Sequence, residues 1–305
     1  MRSRPAVWDG AVRLRFASVL ARRGGSRAVA PRLISPLVRL ATWNVNSLKA
    51  RMPRVEQWLA DLQPDVLCLQ ETKLSDSAFP AMAFQALGYE SVHFGQGQWN
   101  GVAILSRVGI EGVRYGFDDG PPAGPPADDY ITAVLGEARL VTATCGGIQV
   151  SSVYVPNGRS VDDPHYAAKL VWLDRLRELL QRTAAPSEPI AVMGDFNIAP
   201  DDRDVWDPAR FVNSTHVTPE ERAKLAELER WGFTDAFRHL YPQDRLYTYW
   251  DYRAGDFHMH RGMRIDLVLA TAPVIDRLVW SIVDRNARKG KLPSDHAPLM
   301  IDLMP

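Results

Sequence analysis

The sequence predicts an α/β fold built from two packed sheets with helices outside. Residues 38–43 read as a strand, Val55, Trp58, Leu59 and Leu62 follow at helical spacing, and residues 65–69 form a second apolar run. That is a strand–helix–strand unit. A later run, Pro189-Ile190-Ala191-Val192-Met193, has the length and bounding turn residues of a buried strand. Both halves of the chain alternate such strands with helices, and 305 residues suffice to bury a large core.

Residues 1–36 carry no clear periodicity, contain Gly24-Gly25 and scattered prolines, and precede the first strand. Three readings compete for them: a basic arm that touches nucleic acid, an Arg-rich, acid-poor targeting peptide, or a segment that is not translated if synthesis starts at Val38. The last, or a plain disordered tail, is favoured. The domain expectation is an Arg-rich disordered extension over 1–36 and a catalytic domain over 37–305.

The first strand ends at Asn44-Val45-Asn46, and the helix after it is closed by Gln63-Pro64. The second strand runs directly into Gln70-Glu71-Thr72-Lys73. A short helix is expected over 78–87 and a buried strand over 101–106. Residues 116–129, rich in Pro, Gly and Asp, read as a surface loop without chemistry. Residues 140–155 read as two strands around a Gly146-Gly147 turn, ending at Tyr154-Val155-Pro156-Asn157-Gly158-Arg159. The longest amphipathic helix is expected over 164–182, with a core stripe of Tyr166, Leu170, Leu173, Leu176 and Leu180. Thr218-Pro219-Glu220-Glu221 is a capping box that opens a helix to about Trp231. Strands are expected over 247–250, 264–270, 274–283 and 299–303.

Formal net charge is zero, but residues 1–37 hold eight arginines and one acid, leaving 28 basic and 35 acidic groups in the remainder, a net −7. A nucleic-acid partner therefore requires a local basic face, or metal ions that offset the acids. Two cysteines are too few for a disulfide framework, and Cys68 sits in an apolar run as a small buried hydrophobe. This usage suits a reducing cytosol. No apolar stretch has transmembrane length.

Candidate chemistry gathers at strand ends: Asn44, Glu71, Tyr154, Asp195, Asn197, Asp266, Asp295 and His296. In α/β folds such ends line the ligand cleft. Asp195 and Asn197 are two apart in Gly194-Asp195-Phe196-Asn197 and should face one cleft together. A carboxylate can take a proton from water, and an amide can orient that water or an oxyanion. Several carboxylates in one place call for a cation, and a hard oxygen-liganded ion such as Mg²⁺ suits them. No Cys/His set of a structural zinc site is present. His258 and His260 read as a solvated or phosphate-contacting loop rather than a metal pair.

In order along the chain stand Thr42-Trp43-Asn44-Val45-Asn46-Ser47-Leu48, Leu69-Gln70-Glu71-Thr72-Lys73, Tyr154-Val155-Pro156-Asn157-Gly158, Gly194-Asp195-Phe196-Asn197, Tyr247-Thr248-Tyr249-Trp250, Arg264-Ile265-Asp266 and Ser294-Asp295-His296-Ala297-Pro298. In this the sequence resembles the exonuclease III family of AP endonucleases, within the endonuclease/exonuclease/phosphatase superfamily, and bacterial, actinobacterial-type members in particular. The resemblance runs from about Val38 to the C-terminus. It implies a four-layer α/β sandwich of two mixed sheets flanked by helices. It implies a Mg²⁺-dependent DNA repair nuclease, with Mn²⁺ as a substitute ion. The activities implied are 3′–5′ exonuclease, cleavage on the 5′ side of abasic sites, and removal of 3′-phosphates.

By the same resemblance, Glu71 binds the metal, with Asp295 and Asn44 or Asn46 nearby, and Asp195, Asn197 and His296 also belong to the metal site. Asp195 activates water or stabilises the leaving oxygen, Asn197 orients the nucleophile, Tyr154 donates to the phosphate, His296 contacts it, and Asp266 fixes the imidazole. Lys73, Asn157 and Arg159 bind backbone phosphates. Asn46 departs from relatives with Asp there, and an amide binds Mg²⁺ more weakly. Tyr249, Trp250, Met263 and Ile265 are expected to wall a pocket for a flipped abasic sugar, which costs little to unstack. The implied partner is duplex DNA with abasic sites or blocked or recessed 3′ ends, met by a cytoplasmic monomer without a membrane. Two other readings stand beside this: a phosphatase or nuclease of the same fold with another substrate, and a DNA-binding protein with a dead site.

Overall fold

The computed structural model describes residues 37–117, 129–243 and 245–305. The expected extension over 1–36 and most of the expected 116–129 loop lie outside the described residues. Twelve strands are found among them: β1 (Val38–Asn44), β2 (Val66–Gln70), β3 (Glu90–Phe94), β4 (Val102–Ser106), β5 (Glu111–Tyr115), β6 (Leu140–Cys145), β7 (Ile148–Tyr154), β8 (Ile190–Asp195), β9 (Phe233–Asp235), β10 (Asp266–Thr271), β11 (Leu278–Val283) and β12 (Leu299–Leu303). They form two six-stranded sheets, ordered β11-β12-β1-β2-β4-β3 and β5-β6-β7-β8-β10-β9. Each is mixed, with one parallel pair at its centre, β1 with β2 and β7 with β8.

The sheets pack face to face through Leu40, Cys68 and Ile104 on one side and Val141, Val150, Met193 and Val268 on the other. Side chains at alternate positions cover the outer faces. On the first sheet, Ala41, Trp43, Leu67 and Leu69 pack under Val55, Trp58 and Leu59 of helix α1 (Leu48–Leu62). The short helix α2 (Ala81–Ala86) follows, and α3 (Asp129–Leu135) opens the second half. On the second sheet, Val153, Val192 and Leu269 meet Trp172, Leu173 and Leu176 of α4 (Pro164–Thr183) and Leu225 and Leu228 of α5 (Pro219–Trp231). Two short helices, α6 (Ala236–Leu240) and α7 (Ala272–Ile275), complete the set. The result is the four-layer sandwich.

Four expectations are corrected. Pro80 divides the helix expected over 78–87 into a 3₁₀ turn, Asp76–Ala78, and α2. Pro273 starts α7 inside the strand expected over 274–283, which therefore begins only at Leu278. Residues 247–250 form no strand: Tyr249 makes isolated bridges to Met263 and His296, while the Trp250 N–H donates to the Asp295 carbonyl at 3.0 Å. The segment crosses between its neighbours instead of pairing along one of them. The α4 stripe holds at Leu173, Leu176 and Leu180, but its first turns differ, with His165, Lys169 and Trp172 buried and Tyr166 and Leu170 only half-buried.

Candidate active site

The C-terminal ends of β1, β2, β7 and β8 point to one rim, and β10 and β12 begin there because they run antiparallel to β8 and β1. In register, Asp195 pairs with Asp266 on one side and with Tyr154 on the other. Gly194 makes this possible: a Cβ there would lie 1.9 Å from the Val153 carbonyl oxygen.

Asn44 links the two sheets across the rim. Its Nδ2 donates to Glu71 Oε1 and to Asp195 Oδ2, both at 2.9 Å, and its Oδ1 accepts from the Asn46 N–H at 3.0 Å. Both amide ends are engaged, so Asn44 serves as a strut between the carboxylates. Asn46 Nδ2 donates to Asp295 at 3.1 Å. Lys73 lies within the acidic group instead of out on the rim: Nζ is 2.8 Å from Glu71 Oε2 and 2.5 Å from Asn46 Oδ1. Burial works against the Glu71 anion, but the Lys73 charge and hydrogen bonds from Lys73 and Asn44 hold its carboxyl below the ordinary value.

The backbone here is strained. Asn46, Ser47, Glu71 and Lys73 all have left-handed φ, between 43° and 85°. Such positions cluster at functional sites and persist only where surroundings hold them. The Ser47 N–H donates to the Glu71 carbonyl at 2.7 Å, and the Lys73 N–H to Asn100 at 2.9 Å. Between them, buried Thr72 lies 2.8 Å from His93 Nε2, and His93 Nδ1 lies 2.8 Å from Asp76. No spacing in the sequence points to His93.

His296 is buried beside Asp195. Its Nδ1 is 2.8 Å from Asp266 Oδ2 and its Nε2 is 3.8 Å from Asp195 Oδ2. Its backbone is held by the Ser294 hydroxyl at 3.2 Å and by the Trp43 indole, which donates to its carbonyl at 3.2 Å. The Thr248 hydroxyl accepts from the Asp266 N–H at 3.1 Å and fixes the other partner. Burial alone would favour neutral imidazole, but Asp266 and Asp195 outweigh it and push the pKa up to about 10. Asp195 is pushed up to about 7, chiefly by burial, with Asp266 and Glu71 adding to it against His296 and Asn44. Burial and the Glu71 carboxylate hold the Tyr154 phenol well above its ordinary value, so it stays a donor. The Arg139 guanidinium stacks 4.6 Å from its ring centroid.

Asn197 is buried next to Asp195, whose Oδ1 accepts its N–H at 2.8 Å. Its amide nitrogen donates to the Val155 carbonyl at 3.0 Å, and its Oδ1 accepts from Asn157 Nδ2 at 3.1 Å. One amide hydrogen remains for a ligand. Arg159 is exposed on the neighbouring rim, with Asp163 3.8 Å away.

Ligand atoms of Glu71, Asp195 and His296 lie within 4.8 Å of one another. Two carboxylates, with Asp295 nearby, make an oxygen-rich set that fits a hard divalent cation. Imidazolium has no lone pair to give, so His296 is better suited to an anionic oxygen than to the metal. The expected wall is also corrected. Trp250 is fully buried in the core between the sheets, edge-on to Phe257 at 5.2 Å and under the Arg285 guanidinium at 5.3 Å. Tyr249 faces the cleft, its ring 5.0 Å from that of His296, so its neighbour turns inward. Met263 and Ile265 pack in a separate cluster with Val205, bordered by Tyr249 and Phe211. Arg264 between them is buried in ion pairs with Asp204 and Asp235 at 2.7 and 2.6 Å, a role its sequence position did not disclose. His260 Nε2 donates to the Arg245 carbonyl, 3.3 Å away, and its ring packs on Tyr247, apart from the acidic group.

The layered fold and the buried carboxylate–imidazole cluster at its strand ends define a hydrolase of the α/β-sandwich class. The sequence matches the Endonuclease/Exonuclease/phosphatase family over residues 41–296. The chain belongs to that family. It is 33% identical to exodeoxyribonuclease III of Haemophilus influenzae, covering 86% of this chain and 98% of that protein. An AP endonuclease from Archaeoglobus fulgidus superposes with a TM-score of 0.81 at 36% identity, over 87% of this chain and 99% of that one. A 3′ phosphatase from Neisseria, solved with a product DNA hairpin, does so with a TM-score of 0.79 at 37% identity, again over 87% and 99%.

Proposed function

We propose that this chain is a Mg²⁺-dependent DNA repair nuclease that hydrolyses phosphodiesters of duplex DNA. Its activities are 3′–5′ exonuclease, incision on the 5′ side of abasic sites, and 3′-phosphatase, and its setting is base excision repair in the cytoplasm. Residues 37–305 are its catalytic domain and 1–36 an extension. The observation that carries the reading is the buried group of Asp195, Asn44, Glu71 and the His296–Asp266 pair at one rim. The family and the relatives at 33–37% identity support it.

Glu71 and Asp295 would hold the metal, which would lower the pKa of a water and offset charge on the phosphate. Asp195, with a pKa about 7, takes the proton of the attacking water near neutral pH. Asn197 aims its free amide hydrogen at that water or the phosphate. His296 and Tyr154 present proton-bearing atoms to phosphate oxygens as negative charge grows there. Arg159 at the rim suits a backbone phosphate, while Asn157 acts through Asn197. Tyr249, backed by the Met263–Ile265 cluster it packs against, offers the apolar wall for an extruded abasic sugar.

The test is cleavage of three duplexes side by side, carrying an abasic site, a recessed 3′ end or a 3′-phosphate, with and without Mg²⁺. Mg²⁺-dependent product on all three is expected. DNA binding without product on any of them would favour a dead site.

A further inference from the structure

Behind the Asn157 and Asn197 loops lies an ion pair with no part in the chemistry above. The side chains of Lys169 on α4 and Glu221 on α5 are both closed to solvent and in direct contact. Lys169 Nζ also donates to the Asn197 carbonyl at 2.7 Å, and lies 3.3 Å from the Asn157 carbonyl and 3.4 Å from Thr215 Oγ1. The Asn197 carbonyl takes a second hydrogen bond from His216 Nδ1 at 2.5 Å. Glu221 Oε1 accepts from the His216 N–H at 3.0 Å and lies 2.8 Å from the Thr215 hydroxyl, which is itself 2.9 Å from Asn157 O. Glu221 Oε2 accepts from Thr218 N and Oγ1 at 3.1 and 2.7 Å, within the capping box that opens α5. Gly158 lets the Asn157 loop sit this close: at φ +90°, a Cβ would meet Thr215 Oγ1 at 2.5 Å and Lys169 Cδ at 3.3 Å.

Stability does not demand such a pair. Desolvating two charges is costly, and apolar side chains of similar volume commonly serve as well or better. The ammonium provides something an apolar group cannot. It reaches the carbonyls of Asn157 and Asn197 at once, and the side chains of those two residues are bonded to each other at 3.1 Å. Asn197 has a left-handed φ of 52°. Its carbonyl lies in the buried layer and needs donors there, which Lys169 and His216 supply.

We infer that Lys169 and Glu221 are a positioning pair that fixes the Asn197 amide, and Asn157 behind it, against the reacting phosphate. Neither residue touches substrate; both act through Asn197, and the inference rests on the role proposed for that residue. Displacement of an aligned group by about 1 Å can cost 10²-fold in rate. The loss should fall on kcat, because groups aligned only in the transition state leave substrate affinity nearly intact.

The test is Lys169→Met/Glu221→Gln in the full chain. Both charges leave together, so no lone charge is buried, and glutamine can still close the capping box. Expected are a melting temperature within a few degrees of the parent, KM on abasic duplex within about twofold, and kcat lower by roughly 10–100-fold. Parental kcat in the folded double variant would overturn the inference. Should the double variant fail to fold, Thr215→Val removes only the hydroxyl between Asn157 and Glu221; a several-fold fall in kcat at constant KM supports the pair, and unchanged kcat overturns it. Asn197→Ala is measured alongside. If it is crippled while the double variant is not, only the positioning role fails. If Asn197→Ala keeps full kcat, the role of Asn197 fails first and takes the inference with it.

Discussion

His296 Nδ1 lies 2.8 Å from Asp266 Oδ2, with both side chains almost wholly closed to solvent. Burial opposes the imidazolium, but the carboxylates of Asp266 and Asp195 more than compensate, pushing its pKa up to about 10. His296 thus carries its proton throughout the neutral range. Asp266→Asn keeps an acceptor and removes the charge. The imidazolium then loses its proton at a lower pH, so the alkaline limb of the pH–rate profile moves down, by about 1–3 units. An alkaline limb at the parental pH would show that Asp266 does not hold this proton. The double variant His296→Ala/Asp266→Ala should be far less impaired than the product of the single losses, since residues acting as a unit are non-additive.

Asp195→Asn should remove nearly all cleavage, by ~10²–10⁴-fold, while binding of abasic duplex survives. The carboxylate moves a proton, and its amide isostere keeps the shape and one of the two acceptor oxygens, enough to take the Asn197 N–H, while the bond from Asn44 is given up. Gel-shift affinity measured beside single-turnover rate separates the two effects, and equal losses in both would remove Asp195 from the proton-transfer role.

Trp250→Ala and Tyr249→Ala should differ in kind. Trp250 is fully buried, so its truncation should cost about 3–5 kcal/mol of stability. Its abasic incision and 3′-phosphatase activity should fall in parallel. Tyr249 borders the Met263–Ile265 cluster at the cleft, so its loss should weaken abasic incision more than 3′-phosphate removal, which needs little extrusion. The ratio of the two activities, with melting temperature as control, decides; a shifted ratio in Trp250→Ala would return that residue to the pocket.

Most of the architecture was legible because strands buried on both faces read as continuous apolar runs: β1, β2, β4, β8, β10 and β12 all stood out. The half-exposed β3 and β5 at the sheet edges did not, since Glu90-Ser91-Val92-His93-Phe94 has too few apolar residues to mark a face. Proline at 80 and 273 overrode the hydrophobic pattern around it. The rim residues were found through strand-end position and motif order. What supports them was not, because Lys169, His93 and Arg264 contact their partners 52, 21 and 60 residues away in sequence. Glu221 was visible only as a capping residue, and its second role needs α4 beside α5. Adjacent Tyr249 and Trp250 do not share the cleft, because neighbours along an extended chain face opposite ways, and the pair in sequence does not show which of them turns inward.

Glu221 also predicts an acid sensitivity. Burial favours its protonated form, yet the Lys169 charge and hydrogen bonds from Lys169, His216 and Thr218 hold the carboxyl below its ordinary value. A depressed folded pKa stabilises fully above the unfolded value, about 4.3, and that contribution is lost as pH falls through the folded value. Glu221→Gln should therefore melt well below the parent at pH 7, and the gap should narrow below about pH 4. A gap independent of pH would mean that the pair is not ionised in the folded protein.

The most direct measurement is incision of a single-abasic-site duplex by the parent protein and Glu71→Gln across a Mg²⁺ titration, with chelator as the zero point. The account predicts no product in chelator, a cut on the 5′ side of the abasic residue in Mg²⁺, and a Glu71→Gln curve displaced to higher Mg²⁺ with duplex affinity retained. Incision that persists in chelator, or a Glu71→Gln curve superimposed on the parent's, would contradict it.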